Sequence, residues 1–464
     1  MTEFILNNKL IKTSEPTGMS LLNFIREKAR FKGTKSGCKE GDCGACTVMV
    51  GSPDGGRVKY QSVTSCLFPL GNAHGKHIVT IEGLNGDILT SVQQSLSDNN
   101  ATQCGFCTPG IVVSLTNYIL NSDTLNFEAA LNSVAGNICR CTGYKSIERA
   151  AKEIVENSES KNYKKNELPA FFKDIQKRLE GIPPAAESSE SPMIAGGTDL
   201  MVQKPEVIEA LSPKLIAYKP ELIGISIENE TVHIGASVTV SEFMHNKELR
   251  KYFPKIAEQF KLISSEQIRN TATFAGNIVN ASPIADLSIF LLALDAKLII
   301  QTGEGEERSV ALKDFFKAYK KLDLHPGELI LQIQFKAPKP AEKFNFEKVS
   351  KRRYLDIASV NSCLRAEAKN GLIKTAALSA GGIGPIPFFA RKTSEFLVGK
   401  KLNETTIIAA ARILNSEISP ISDIRGSEKY KRLLLRQLFV AHFQTLFPQE
   451  ISLNQDFLKS LPTV

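Results

Sequence analysis

The placement of its cysteines strongly limits how this chain can fold. Eight of the nine fall into two groups of four, which are Cys38, Cys43, Cys46 and Cys66, and Cys104, Cys107, Cys139 and Cys141. The ninth, Cys363, stands alone, and we expect it to be a small buried hydrophobic residue. Clustered cysteines in a chain without a secretory leader favour metal or redox chemistry over a disulfide framework.

The first quartet follows the spacing C-x4-C-x2-C with a more distant fourth cysteine, which is the spacing of plant-type 2Fe-2S ferredoxins. If three thiolates from one loop are to reach the same cluster, the backbone of that loop must turn tightly around it. Gly37, Gly41 and Gly44 permit positive φ angles and let amide N–H groups approach the sulfurs. A zinc site is the alternative, but zinc sites typically use paired C-x2-C motifs.

The second quartet combines a C-x2-C pair with a C-x-C pair. Pro109 and Gly110 follow the first pair and predict the start of a helix, whose N-terminal amides favour an anionic cluster. Four helical patterns between Leu89 and Val155 predict a small bundle, and Gly136 is predicted to be the C′ residue that ends its third helix. We therefore predict a second 2Fe-2S cluster, and two one-electron centres in series indicate an electron relay.

Composition changes divide the chain further. Residues 1–84 show strand patterns, 85–156 are helical, and 157–191 form a polar segment rich in Ser, Glu and Pro that predicts a linker. An α/β region of residues 192–335 and a mixed region of 342–446 follow. In the former, TVHIGASVTV predicts a strand and then a helix capped by Thr239 and Glu242.

The net charge of +8 is scattered along the chain, so we do not expect a nucleic-acid partner. The N-terminal MTEFILNNKLIK lacks the apolar segment of a signal peptide, and no run of about 18 apolar residues predicts a membrane span. We expect a cytoplasmic protein without a membrane partner. The six histidines form no metal-binding or catalytic pattern.

The C-terminal half contains small polar stretches that suit a phosphate-bearing cofactor. It has no GxGxxG motif, so a Rossmann site is not expected. The AGGTDL turn offers the bare amides of Gly196 and Gly197 and the hydroxyl of Thr198 to a pyrophosphate. Asp286 could accept hydrogen bonds from ribityl or ribose hydroxyls. Each stretch taken alone is also compatible with an ordinary turn.

Several motifs together resemble one known family. GCKEGDCGAC, QCGFCTPG and NICRCTGY resemble the iron–sulfur domains of the xanthine oxidase, or molybdenum hydroxylase, family over residues 1–156. The ordered stretches from Pro192 to Leu331, and then EKVSKRRYLDIASVN, resemble its flavin domains. The resemblance implies a multidomain α+β protein. Its parts would be a β-grasp ferredoxin domain, a four-helix 2Fe-2S domain, a vanillyl-alcohol-oxidase-like FAD-binding domain and an α+β flavoprotein C-terminal domain.

The resemblance also implies site residues. Both quartets would ligate 2Fe-2S clusters, with the second nearer the molybdenum, and Gln103 would contact a molybdenum cofactor held by a partner. FAD would be bound by Pro192, Met193, Ile194, Ala195, Gly196, Gly197, Thr198, Asp199, Thr273, Asn277, Asp286, Ile330 and Lys348. Two positions depart from the family pattern. Ala275 replaces a common glycine, and Ile263 stands where some members have an aromatic residue beside the flavin.

We therefore expect an iron–sulfur/FAD subunit that passes electrons to NAD. Because no molybdopterin-binding domain follows residue 464, we expect a separate molybdenum-binding large subunit, in a heterodimer or a dimer of heterodimers. That partner would hydroxylate a purine. The alternatives are the equivalent subunit of an aldehyde or N-heteroaromatic dehydrogenase, a stand-alone ferredoxin–flavin reductase, and a zinc-stabilised interaction protein.

Overall fold

The computed structural model describes residues 1–157, 168–184, 192–451 and 461. The chain forms two compact units. The first comprises Met1–Tyr218 and Ser264–Ala272, and the second Lys219–Ile263 and Thr273–Val464. Among the described residues, no helix combines the length and apolar character needed to cross a lipid bilayer.

The first unit begins with a five-stranded sheet. Its strands, in spatial order, are Lys9–Thr13, Thr2–Leu6, His77–Val79, Thr47–Asp54 and Arg57–Thr64. Within this sheet, Thr2–Leu6 pairs in parallel with His77–Val79, and the other three pairings are antiparallel. A short helix, Leu21–Asn23, continues as the π-helical turn Phe24–Lys28, and 3-10 turns occupy Ser65–Leu67, Leu70–Ala73 and Ile81–Gly83. This order is that of the expected β-grasp.

Four helices follow, as the periodicity predicted. They are Ser91–Asp98, Thr108–Asn121, Phe127–Ser133 and Lys145–Glu156. Pro109 lies in the first turn of the second helix, where its missing N–H costs nothing. Their apolar faces share one core with Met49 and Val79 of the sheet. The expectation for Gly136 was wrong, because the third helix ends at Ser133 with Val134 as its C-cap.

The middle of the predicted linker is folded. Residues 168–184 contain the 3-10 turn Ala170–Lys173 and the helix Ile175–Glu180. Phe171 and Phe172 make edge-to-face contacts with His77, and Ile175 is buried against Ile5 of the sheet. The polar residues 158–167 and 185–191 of that predicted linker lie outside the described part of the chain.

The first unit is completed by short elements. These are the strands Met193–Ile194 and Lys214–Leu215, which pair in parallel, and the helices Leu200–Gln203, Pro205–Glu209 and Glu266–Arg269. The last of these belongs to the segment Ser264–Ala272, whose neighbours in sequence belong to the second unit.

The second unit contains a five-stranded and a four-stranded sheet. In spatial order, the first has Glu307–Ala311, Lys297–Gln301, Leu329–Lys336, Thr231–Gly235 and Ile225–Glu228, and the second has Glu342–Val349, Val360–Lys369, Leu372–Gly381 and Phe388–Phe389. A small hairpin pairs Phe316–Ala318 with Lys321–Leu322. The mixed helix-and-sheet class expected from the sequence is confirmed.

Helices cover these sheets. They are Val240–His245, Leu249–Tyr252, Ile256–Phe260, Phe274–Asn280, Asp286–Ala293, Leu312–Phe315, Arg391–Leu397, Glu404–Glu417 and Glu428–Leu446, with a 3-10 turn at Pro220–Leu222. Thr239 and Glu242 form the predicted capping box. Cys363 is fully buried in the second sheet, as expected.

Candidate functional site

The loop before strand Thr47–Asp54 gathers the first three cysteines of the first quartet. Cys38 Sγ accepts hydrogen bonds from the backbone N–H groups of Glu40 and Cys43, both at 3.4 Å. The Cys43 thiol donates to the same sulfur, which lowers the pKa of Cys38 to about 5 and raises that of Cys43. The loop therefore supports an anionic sulfur, the form that ligates metal.

Cys46 and Cys66 form the second pair of this quartet, and both are buried. The Cys66 thiol donates to Cys46, so the pKa of Cys46 falls and that of Cys66 rises. The Ser65 hydroxyl also donates to the Cys46 carbonyl oxygen over 2.7 Å. These contacts join the distant fourth cysteine to the loop.

Glycines shape this loop, and the positive φ angles expected at Gly41 and Gly44 are present, whereas Gly37 does not adopt one. A Cβ on Gly37 would lie only 2.7 Å from the sulfur of Cys43. Gly41 and Gly44 have φ angles of +80° and +65°, a region that side chains disfavour. A larger residue at any of these positions would distort the loop that gathers the sulfurs.

The second quartet also consists of two facing pairs. Cys104 and Cys141 are exposed, and their sulfurs are 3.5 Å apart. Cys107 is buried and caps the helix Thr108–Asn121, and its thiol donates to Cys139. Burial and that donation raise the pKa of Cys107 to about 12. Cys139 Sγ also lies 3.1 Å from the Thr142 hydroxyl.

Two facing pairs in each quartet suit a cluster with two irons. A 2Fe-2S cluster takes four cysteine thiolates, and nearby N–H donors offset its charge. Both features are present here. Among the described residues, no three or more His, Cys, Asp or Glu side chains converge as ligands of one metal ion. Gln103, expected to contact a partner's molybdenum cofactor, is exposed beside Cys104.

The predicted flavin-binding residues fall into two sets. The first set, Pro192–Asp199, belongs to the first unit. Gly197 has a φ of +83°, and its Cβ would lie 2.6 Å from the Leu67 carbonyl oxygen. The Asn72 amide donates to the Ala195 carbonyl oxygen over 2.8 Å. Ile194 shares a buried core with Cys46 and Cys66. The glycine-rich turn therefore packs directly behind the first quartet.

The second set, in the second unit, centres on an ion pair. Lys348 Nζ lies 2.8 Å from Asp286 Oδ2 and donates to the Leu262 carbonyl oxygen over 2.8 Å. The Lys348 side chain is only 2% exposed. The Asn361 amide donates to the other Asp286 oxygen over 2.5 Å. Asn361 was not among the flavin-binding residues predicted from the sequence, although it is the last residue of the motif EKVSKRRYLDIASVN.

The remaining residues of this set have structural roles in the second unit. Thr273 caps the helix Phe274–Asn280 by accepting from the Gly276 N–H at 3.1 Å. Asn277 Oδ1 accepts from the Ser288 backbone and hydroxyl, both at 3.2 Å. Ile330 is a buried strand residue. Of the two departures from the family pattern, Ile263 is buried and Ala275 is partly exposed.

Four domain models match the chain in succession. They are a 2Fe-2S iron–sulfur cluster binding domain at residues 4–70, a [2Fe-2S] binding domain at 80–152, an FAD binding domain in molybdopterin dehydrogenase at 171–338, and a CO dehydrogenase flavoprotein C-terminal domain at 346–446. The two quartets lie within the first two matches.

Curated relatives include xanthine dehydrogenase 1 of Arabidopsis thaliana, 28% identical over 95% of this chain and 39% of that protein. Xanthine dehydrogenase/oxidase of Rattus norvegicus is 28% identical over 96% of this chain and 39% of its own length. The chain thus spans about two fifths of these relatives.

Solved structures of CO dehydrogenases are also similar. The cyanide-inactivated Cu,Mo-CO dehydrogenase matches with a TM-score of 0.50 and 25% identity, covering 53% of this chain and 86% of that chain. The enzyme from Hydrogenophaga pseudoflava that lacks the Mo-pyranopterin moiety matches with a TM-score of 0.51 and 25% identity, covering 54% and 88%.

Proposed function

We propose that this chain, whose domains and relatives fit an iron–sulfur/FAD subunit of the xanthine oxidase family, is the electron-transfer subunit of a xanthine dehydrogenase. A separate molybdenum-binding chain would hydroxylate hypoxanthine and xanthine to urate. Two 2Fe-2S clusters and FAD would supply one- and two-electron redox chemistry between that centre and NAD. The assembly would be cytoplasmic.

The observation that carries the proposal is the succession of two sulfur quartets and a flavin-type region in one chain. Xanthine dehydrogenases align with nearly all of it, over 95% and 96%, whereas the CO dehydrogenase chains cover 53% and 54%. A protein in which clusters and flavin share one chain accounts for both findings.

The residues of this chain have defined tasks in that role. The eight cysteines would hold the clusters, and the N–H groups of Glu40 and Cys43 would offset negative charge at Cys38. Burial of Cys46 and Cys66 excludes water from one side of the first quartet. The exposed Cys104 and Gln103 would face the partner.

The flavin assignment is also a proposal. Pro192–Asp199, Thr273, Asn277, Ile330 and the Lys348–Asp286 pair would contact FAD. The shared core of Ile194, Cys46 and Cys66 supports an order in which the first quartet is the one nearer the flavin. Electrons would therefore enter at the second quartet and leave through the first.

Co-expression with a molybdenum-binding chain tests the function. The assembled complex should reduce NAD with xanthine, and should contain iron and FAD. Preferential turnover of an aldehyde, an N-heteroaromatic compound or carbon monoxide would instead assign a sister enzyme, and the similar CO dehydrogenase structures make carbon monoxide the second candidate to assay.

The isolated chain provides the remaining test. Full NADH-linked turnover without any partner would identify a ferredoxin–flavin reductase. A colourless protein containing only zinc would refute the cluster assignment, because 2Fe-2S clusters absorb visible light and Zn²⁺, a d¹⁰ ion, has no d–d transitions.

A further inference from the structure

A buried glutamine connects the loops of the two quartets within the first unit. Gln267 lies in the helix Glu266–Arg269 and is fully buried. Its side-chain nitrogen donates to the Ser114 hydroxyl at 3.0 Å, the Ser133 carbonyl oxygen at 3.1 Å and Asn137 Oδ1 at 3.3 Å. Its own Oε1 has no partner among the described residues. The site therefore requires a donor at this position.

Asn137 carries the connection to the first quartet. Its Oδ1 accepts from Ser114 and Gln267, so its amide nitrogen points the other way and donates to the Gly44 carbonyl oxygen over 2.9 Å. The next residue, Ile138, donates its backbone N–H to the Cys43 carbonyl oxygen over 2.9 Å. Two successive residues thus attach the segment that leads into Cys139 to the loop that contains Cys43.

Three glycines allow this approach. A Cβ on Gly136 would overlap Gln267 Oε1, one on Gly44 would overlap the Gly136 carbonyl oxygen, and one on Gly110 would overlap the Gly44 carbonyl oxygen. The backbones of both cysteine loops and of the helix Thr108–Asn121 are therefore in direct contact. This contact, rather than helix termination, accounts for the glycine at position 136.

We propose that Gln267 is a positioning residue for electron transfer between the two clusters. By donating to Asn137 it sets the orientation of that amide, and Asn137 with Ile138 holds the Cys43 and Cys139 loops in one arrangement. The proposal rests on the proposed function, since it presumes both clusters. Groups that orient metal ligands typically change affinity or activity by about 10- to 100-fold when removed.

Gln267→Leu in the full chain tests the proposal because leucine removes the donor with little change in volume. We expect both clusters to assemble, but electron redistribution between them after rapid reduction should slow by about tenfold or more. Electron paramagnetic resonance should show an altered magnetic interaction between the reduced clusters. Gln259→Leu is the matched control, since Gln259 is a buried glutamine of the second unit that donates to the Phe346 carbonyl oxygen.

The outcomes separate the two proposals. A wild-type chain without iron refutes the relay itself. Only the role of Gln267 is refuted if the Gln267→Leu chain has its full iron content, an unchanged paramagnetic resonance signal and an unchanged rate of electron redistribution. If Gln267→Leu fails to fold, Ser114→Ala removes the other donor to Asn137. Ser114→Ala should then alter the paramagnetic resonance signal and slow electron redistribution between the clusters, as expected for Gln267→Leu. If Ser114→Ala shows the wild-type signal and rate, the proposal is overturned.

Discussion

The backbone N–H of Ile138 donates a 2.9 Å hydrogen bond to the carbonyl oxygen of Cys43. Because Cys139 follows Ile138 directly, one hydrogen bond and one residue separate a cysteine of the first quartet from a cysteine of the second. The two sulfur sites are therefore parts of one packed structure, and a substitution that forces their backbones apart should affect metal content.

Gly44→Ala should abolish or severely reduce assembly of the first cluster. Gly44 has a φ of +65°, and an added Cβ would overlap the Gly136 carbonyl oxygen. Gly75→Ala is the control, because its φ of +68° imposes the same backbone cost of about 1–2 kcal/mol with nothing within 4 Å of the new Cβ. Iron content and visible absorption distinguish them, and equal losses in both variants would show that the close approach is unimportant.

Cys43→Ser should remove or disturb the first cluster and leave the second, so that the chain retains about half of its iron. Reduction of the partner's molybdenum by xanthine should survive, while electron arrival at FAD slows greatly. Cys363→Ser is the matched control. Cys363 is buried in the second unit, whereas both quartets belong to the first, so the serine hydroxyl should lower stability without changing the iron content. Unchanged NAD reduction in Cys43→Ser would contradict the series order.

Lys348→Met should destabilise the second unit and weaken FAD retention. It leaves the Asp286 carboxylate, only 12% exposed, without its cation, and breaking a buried pair in this way costs about 3–5 kcal/mol. Arg391→Met breaks an exposed pair with Asp314 and should cost less than about 1 kcal/mol. Urea unfolding and flavin content measure both. Similar losses in the two variants would refute the importance of the buried pair.

Stability should fall as the pH drops from about 6.5 to about 4, in part because of His77. Burial lowers the pKa of His77 to about 4, below its usual value near 6.5. In this window the unfolded chain binds a proton at His77 that the folded chain does not. The contribution of His77 to the free energy of unfolding is therefore fully present above pH 6.5 and falls by about 3 kcal/mol towards pH 4.

His77→Gln tests this assignment. A glutamine can still accept from the Tyr60 hydroxyl and donate to the Asn7 carbonyl oxygen, the two partners of His77. The variant should therefore lose less free energy of unfolding between pH 7 and pH 4 than the wild type. An identical pH dependence in His77→Gln and the wild type would remove His77 as the cause.

Local signals predicted local structure well. The strand patterns expected within residues 1–84 are present, and the first two strands pair across a turn in which Asn7 has a φ of +53°, a conformation that Asn tolerates. Pro109 marked a helix start, and Thr239 with Glu242 a capping box. Gly136 was misread because a glycine after a helical pattern is as compatible with close packing as with helix termination.

The atoms that can hold metal are recognisable in the sequence, since the spacing of Cys38, Cys43 and Cys46 within one loop is a covalent property. Which sulfurs face each other, and what holds the two quartets together, depends on how the chain folds. Gln267 reaches Asn137 across 130 positions in sequence. A lone buried amide has no period or spacing that marks it, so its role emerges only when folding brings its hydrogen-bond partners together.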